Sequence, residues 1–295
     1  VGYWIFHFHT GEGQRIWSLQ GKFLNSMFHI MDSPREEPAS TGTQAIRRAA
    51  AVLRALGKAG PEGATLADVV RDSGLARSTA HRILRCLAEE RLACEPGPDK
   101  RYRMGELVHE LSLAPSASML EVAHWRPVVA AIARRTGATA YLMRRSGVEA
   151  VCLAKADSKA LMRFVPVEVG QRRLLGVGAG ATVLLAALDD EHCEQVINLI
   201  APGLRPYPRL DKGSVRNAVR MVRKTGFAVS QGTVVADGFG MAIAVPSASG
   251  APYLALSIAA HSSLVTESVI AEWERVLMQE LKAGLEASGV GMPGA

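Results

Sequence analysis

The chain has 295 residues, 34 Lys/Arg against 28 Asp/Glu and a net charge of +6, with 48% apolar residues. It is long enough for two domains with separate cores, and too polar throughout for a membrane span. The basic excess is uneven: residues 43–104 hold twelve Lys/Arg against seven Asp/Glu, while residues 105–295 hold nineteen against seventeen.

Residues 1–42 are read as an N-terminal tail without a fold of its own. Val1 to His9 shows no clear period, whereas Met31-Asp-Ser-Pro reads as an ordinary polar leader, so translation is expected to start at Met31 or Met27. His7 and His9 are two histidines in a tail, and no metal site is expected there. Cys86, Cys94, Cys152 and Cys193 lie far apart with no Cys-x-x-Cys, which argues against a disulfide framework or a zinc site. With no secretion signal in view, a cytoplasmic location is expected.

The first folded unit is expected over 43–104. Ile46, Ala49, Ala50, Leu53 and Leu56 mark a helix ended by Gly60-Pro-Glu-Gly63. Thr65 and Asp68 form a capping pair for a short helix with Leu66, Val69 and Val70 on its apolar face, and Gly74 stops it. After a tight turn, Ala80, Ile83, Leu84 and Leu87 recur at i, i+3, i+4 and i+7, so one face of the next helix is buried. Its other face carries Arg77, Ser78, Thr79, His81, Arg82 and Arg85, which suits a recognition helix in a major groove. Beyond Leu92 the period changes to two, with Leu92, Cys94, Tyr102 and Met104 facing inward around a Glu95-Pro-Gly-Pro-Asp99 turn. Lys100, Arg101 and Arg103 then point out from a basic wing and reach phosphates. Each cation alone also reads as part of a solvated face. The ordered set of helix, glycine turn, basic helix and basic hairpin reads as a winged helix-turn-helix, and its partner is double-stranded operator DNA.

Residues 105–136 are read as connector helices, a short one over 105–113 and an amphipathic one over 118–135 with Leu120, Ala123, Val128, Ile132 and Ala133 apolar, ended by Gly137. Residues 137–288 are read as an α+β sensor domain, followed by a C-terminal tail over 289–295. Strands are expected over 140–145, 148–154, 161–167, 227–230, 241–245 and 253–259, with helices over 181–188, 191–200, 212–224 (cap Asp211, stop Gly226) and 267–287 (cap Thr266). This mixture suggests an antiparallel sheet with helices on one side.

Gly176-Val-Gly-Ala-Gly180 is the glycine cluster suited to a ligand, because it lets a backbone come close and opens onto a helix start; a tight strand-to-helix turn is the other reading. It does not meet the dinucleotide order G-x-G-x-x-G. Nucleophile elbows and H-E-x-x-H are absent from the sequence and no carboxylate pair is placed so as to demand acid-base work, so an enzyme is the weaker reading and no cofactor is expected.

The stretch Gly74-Leu-Ala-Arg-Ser-Thr-Ala-His-Arg-Ile-Leu84 with Lys100-Arg-Tyr-Arg-Met-Gly105 resembles the recognition helix and wing of the IclR (isocitrate lyase regulator) family of bacterial transcription factors. Val169-Gly-Gln-Arg172, Leu184-Leu-Ala186, Gly226-Phe-Ala-Val229, Ala242-Ile-Ala-Val-Pro246 and Ala255-Leu-Ser-Ile-Ala259 follow in the family's order, so the likeness spans about 43–288. The resemblance implies a regulator that binds DNA as a dimer or tetramer, with a small-molecule effector held by Gly176, Gly178, Ala179, Gly180, Ser230, Ala242, Ser257 and Ala259. Many members have Pro-Leu-His before the glycine loop and Gly-Lys within it, where this chain has Leu174-Leu-Gly176 and Ala181-Thr182. Alanines at 242 and 259 replace groups that are often polar or thiol, which implies a more apolar pocket and a larger, aromatic acid. The alternatives are a catabolic enzyme fused to a helix-turn-helix, and an architectural DNA binder that no longer senses.

Overall fold

The computed structural model describes residues 41–114, 117–157, 167–247 and 250–287. The expected C-terminal tail, residues 1–40 with His7 and His9, and nearly all of the strand expected over 161–167 lie outside the described residues; residues 41–42, expected in the tail, belong to the first helix.

The N-terminal unit is built on local chemistry. Helix α1 (Thr41–Ala59) buries Val52, Ala55 and Leu56, while Ile46, expected on the buried stripe, is exposed. Ala49 and Leu53 pack against this cluster as expected, so the core starts about one turn later than the apolar period suggests. Strand β1 (Ala64–Thr65) leads into α2 (Leu66–Ser73). The expected capping box is formed: the Asp68 amide donates to Thr65 Oγ1 at 3.2 Å and the Thr65 amide to Asp68 Oδ2 at 3.0 Å. Gly74 closes α2 in the left-handed region, its N–H donating to Val70 O at 3.0 Å. Helix α3 (Arg77–Glu89) buries Ala80, Leu84 and Leu87 against Val69 and Leu56 in one cluster.

The wing differs from a simple hairpin. Strand β2 (Arg101–Tyr102) pairs with β1, Ala64 opposite Tyr102 and Thr65 opposite Arg101. The 92–94 arm contributes a single bridge, Ala93 to Met104, and the Cys94 amide donates to Arg103 O at 2.9 Å. Pro96 and Pro98 have no N–H to extend a ladder toward the tip. Tyr102 faces inward as expected; Cys94 and Met104 are exposed, and Ala93 takes the buried place.

The remaining elements are α4 (Glu106–Ser112), α5 (Ala117–Thr136), β3 (Thr139–Ser146), β4 (Glu149–Ala156), β5 (Arg172–Leu174), α6 (Ala179–Ala186), α7 (Asp190–Ile200), α8 (Lys212–Thr225), β6 (Phe227–Gln231), β7 (Gly238–Ser247), β8 (Gly250–His261) and α9 (Glu267–Ala287). Asp211 caps α8 through Ser214 and Gly226 ends it. The six strands form one antiparallel sheet in the order β5-β4-β3-β8-β7-β6.

Helices cover both faces of this sheet, which corrects the one-sided arrangement expected from sequence. On one face, Leu142, Met241, Leu256 and Ile258 pack with Val129 and Ile132 of α5 and with Trp273 and Leu277 of α9. Trp273 Nε1 donates to Thr136 O at 3.1 Å, and Arg135 reaches Glu280 at 2.7 Å, fixing the two helices together. On the other face, α6, α7 and α8 pack over Tyr141, Met143, Cys152, Ala228, Ala242, Ala255 and Ala259. Of the connector's expected apolar residues, Val128, Ile132 and Ala133 are buried, while Leu120 and Ala123 are exposed.

Candidate functional site

Two places in the described structure have the makings of a site, a basic helix and a cavity. On α3, Arg77, Ser78, His81 and Arg82 are exposed and Thr79 is half-buried, so all five expected residues lie on or beside the open face. Arg77 and Arg82 form no side-chain hydrogen bond or ion pair among the described residues, whereas Arg85 sits 3.8 Å from Glu89. The α3 N-cap is Ala76, which supplies no capping side chain, so the first-turn amides and Arg77 together favour an anion.

The wing cations are less open than the sequence suggests. Arg101 Nη1 donates to Gly63 O at 2.9 Å. Arg103 donates through Nε to Pro61 O at 3.1 Å and through Nη2 to Glu62 O at 3.2 Å and Asp99 Oδ2 at 2.6 Å. The Arg103 guanidinium holds the Asp99 carboxyl below the usual carboxylate range. Both arginines, expected to point out, are half-buried and turned onto the 60–63 turn, Arg103 also onto Asp99 of the wing. Lys100 is exposed at the tip with φ +57°.

The cavity belongs to the sensor sheet, and strand register explains its position. Ser230 of β6 is opposite Gly240 of β7, and Gly240 is opposite Ala259 of β8. The adjacent row runs from Ala242 of β7 through Ser257 of β8 to Tyr141 of β3. Small side chains in both rows leave depth on this face, and the start of α6 comes close: a Cβ on Gly180 would meet Met143 Cγ at 2.9 Å and Ser257 Oγ at 3.1 Å. The turn before α6 needs glycine, because Gly178 adopts φ +83° and ψ 162°, a combination that residues with a Cβ essentially avoid.

Between the glycine turn, the sheet and the 232–237 loop lies a cavity of about 580 Å³, counting its open mouth. Gly178, Ala179, Gly180, Ser230, Ser257 and Ala259 line it, as expected from sequence. Gly176 and Ala242 do not. Gly176 packs against α8, where a Cβ would meet Val215 at 2.9 Å, and Ala242 is buried beneath the helices.

Sequence reasoning missed the groups that give this cavity its chemistry. Val167, Val177, Val234 and Val235 supply apolar walls, and Tyr141 and Arg173 add polar groups. The Tyr141 hydroxyl is buried and has no hydrogen-bond partner among the described residues. Burial raises its ionisation well above the ordinary phenol range, and the Asp157 and Glu168 charges add to this while that of Arg173 opposes it, so it remains an O–H donor. Ser230 is hydrogen-bonded to Thr233. Burial also pushes the nearby Cys152 thiol up to about 12, which keeps it from acting as a thiolate. Among the described residues, no group of three His, Cys, Asp or Glu side chains is placed to hold a metal ion, and no helix is long and apolar enough to cross a membrane.

Comparison with known families decides what these two places belong to. Residues 45–94 match the IclR helix-turn-helix domain, and residues 116–283 match the C-terminal domain of the bacterial transcriptional regulator IclR. The chain belongs to the IclR family. It is 30% identical over 187 residues to the HTH-type transcriptional regulator TtgV of Pseudomonas putida, covering 63% of this chain and 70% of that protein. Its fold is shared with an IclR regulator from Alicyclobacillus acidocaldarius (23% identity, TM-score 0.66, covering 84% of this chain and 99% of that one). It is shared too with an IclR homologue from Microbacterium hydrocarbonoxydans crystallised with 4-hydroxybenzoate (22% identity, TM-score 0.62, 82% and 99%). The IclR family and its relatives are transcriptional regulators rather than enzymes, so the fused catabolic enzyme is set aside.

Proposed function

We propose that this IclR-family regulator binds operator DNA in the cytoplasm as a dimer or tetramer, and that a small aromatic acid in the sensor cavity changes its DNA affinity. Arg77, Ser78, Thr79, His81 and Arg82 face the major groove, with Lys100, Arg101 and Arg103 of the wing along the backbone. The cavity carries the reading. It is ring-sized, walled by valines and small residues, and holds a few polar groups. The 4-hydroxybenzoate bound to the Microbacterium homologue supports an aromatic acid.

Strand β3 offers the route for coupling. Tyr141 and Met143 face the cavity, while the intervening Leu142 packs in the cluster with Val129 and Ile132 of the connector helix α5. An effector that favours one position of β3 therefore biases α5, and it alters DNA affinity only by its differential affinity for the two arrangements. Fluorescence anisotropy on operator DNA, with and without aromatic carboxylates, tests this; operator affinity that no carboxylate changes would overturn it. Sedimentation at micromolar concentration should give a dimer or tetramer, and a monomer that still protects a palindrome would exclude the oligomer.

A further inference from the structure

The reading of the cavity as the effector site leaves open what orients the effector, and Tyr141 answers that. Tyr141 is 3% exposed and lines the cavity, and its hydroxyl is unpartnered among the described residues. A buried hydroxyl without an acceptor is costly, and proteins seldom keep one that a partner does not at some stage satisfy. Because burial keeps this phenol neutral, it can offer a proton and needs an acceptor on the ligand. The described lining contains one cation, Arg173, and no Asp or Glu, so an anionic acceptor finds its counter-charge there, while the charges of Asp157 and Glu168, outside the lining, act on the hydroxyl against that of Arg173. The remaining walls are Met143, Val177, Val234 and Val235, which suit a flat apolar body.

We propose that Tyr141 is the specificity-determining anchor of the site, and that the effector is an aromatic monocarboxylate whose carboxylate accepts the Tyr141 hydrogen bond, with Arg173 as the cation of the described lining. This rests on the cavity being the effector site. It goes further in fixing which end of the ligand is recognised and by which side chain. A two- or three-carbon acid satisfies the hydroxyl but leaves the valine walls uncovered, and a neutral aromatic covers the walls but forgoes the charge-assisted bond.

The test compares the full-length protein with Tyr141→Phe, using calorimetric titration of benzoate, 4-hydroxybenzoate and benzyl alcohol. The wild type should bind the two carboxylates more tightly than benzyl alcohol. Tyr141→Phe should weaken carboxylate binding by about tenfold or more, the loss expected for a hydrogen bond to a charged group, and change benzyl alcohol much less. Without ligand, the variant should unfold at the same or a higher urea concentration, because no protein hydrogen bond is removed. A lower midpoint would reveal a structural partner and overturn the proposal. Carboxylate affinities equal in the two proteins, or a wild type that prefers benzyl alcohol, would overturn it while leaving the cavity as the effector site. A wild type that binds none of the three compounds would remove the cavity reading as well.

Discussion

Gly178→Val separates sensing from DNA binding, and its consequences can be worked out from the structure. The native φ of +83° and ψ of 162° lie where a residue with a Cβ costs about 1–3 kcal/mol. A Cβ would also stand 3.3 Å from Val234 Cγ2, and two further methyl groups must press on the 232–237 loop or enter the cavity. Overpacking of this kind adds about 1–3 kcal/mol, so the sensor should lose roughly 2–6 kcal/mol of a total of about 5–15. The DNA-binding unit has its own core of Val52, Leu56, Val69, Leu84 and Leu87 and should keep its operator affinity. Trp125 and Trp273 both lie in the sensor core, residues 43–104 hold no tryptophan, and Trp4 and Trp17 can be replaced by Phe, so urea unfolding followed by tryptophan fluorescence reads the sensor, while anisotropy on labelled operator reads the other domain. The expected outcome is a lower sensor midpoint, operator affinity within about twofold of wild type, and no effector response; Gly178→Ala, smaller but on the same strained backbone, should fall between. A folded Gly178→Val protein that releases operator at the native effector concentration would show that the glycine turn is structural and that the ligand binds elsewhere.

Three further outcomes are expected. Arg77→Ala or Arg82→Ala should cost about 1–3 kcal/mol on operator and relax specificity, while Lys100→Ala should weaken operator and random DNA alike and lower the salt slope by about one; equal losses on both DNAs for all three would contradict this division. Arg103→Ala should speed amide exchange across 93–104 and lower affinity for every DNA, and Arg103→Lys should not restore it, because a point charge cannot reach two carbonyls and a carboxylate at once; unchanged exchange would show that the wing does not depend on this fork. Asp68, Asp99, Glu194 and Asp211 are held below the usual carboxylate range, by Thr65, Arg103, Arg216 and Ser214 respectively. A lowered folded pKa stabilises the fold above the unfolded value and is lost as pH falls through the folded one, so these groups should leave urea stability flat between about pH 8 and 5 and reduce it below about pH 4. A midpoint that rises on acidification would refute that sign.

What was legible in the sequence was chemistry acting over a few residues. The Thr65–Asp68 box, the Asp211 cap and the glycines that end α2 and α8 use short-range bonds, and all are found where the spacing puts them. Arg101 and Arg103 were expected to point out, but they turn onto Gly63, Pro61 and Glu62, which lie about forty residues earlier and are brought there only by the pairing of β1 with β2. Tyr141 was missed for the same reason. It sits in Thr139-Ala-Tyr-Leu-Met143, a run apolar on both sides, so nothing local says which face it takes until Ser257 is opposite it. Arg173 belongs to a three-residue strand too short to show a period.

The placing of helices on both faces was open to sequence reasoning, because a strand that is apolar at successive positions has no face left for water. Both β7 and β8 read this way, through Met241-Ala-Ile243 and Tyr253-Leu-Ala-Leu256. Their residues alternate in size rather than in polarity. Met241, Ile243, Leu256 and Ile258 fill the α5–α9 face, whereas Gly240, Ala242, Ala255, Ser257 and Ala259 turn toward α6. A two-sided sheet with large residues on one face and small ones on the other packs tightly where the side chains are large. Where they are small, it leaves depth that a helix start and a ligand can share, so a period of two in side-chain volume locates the cavity face before any pocket residue is named.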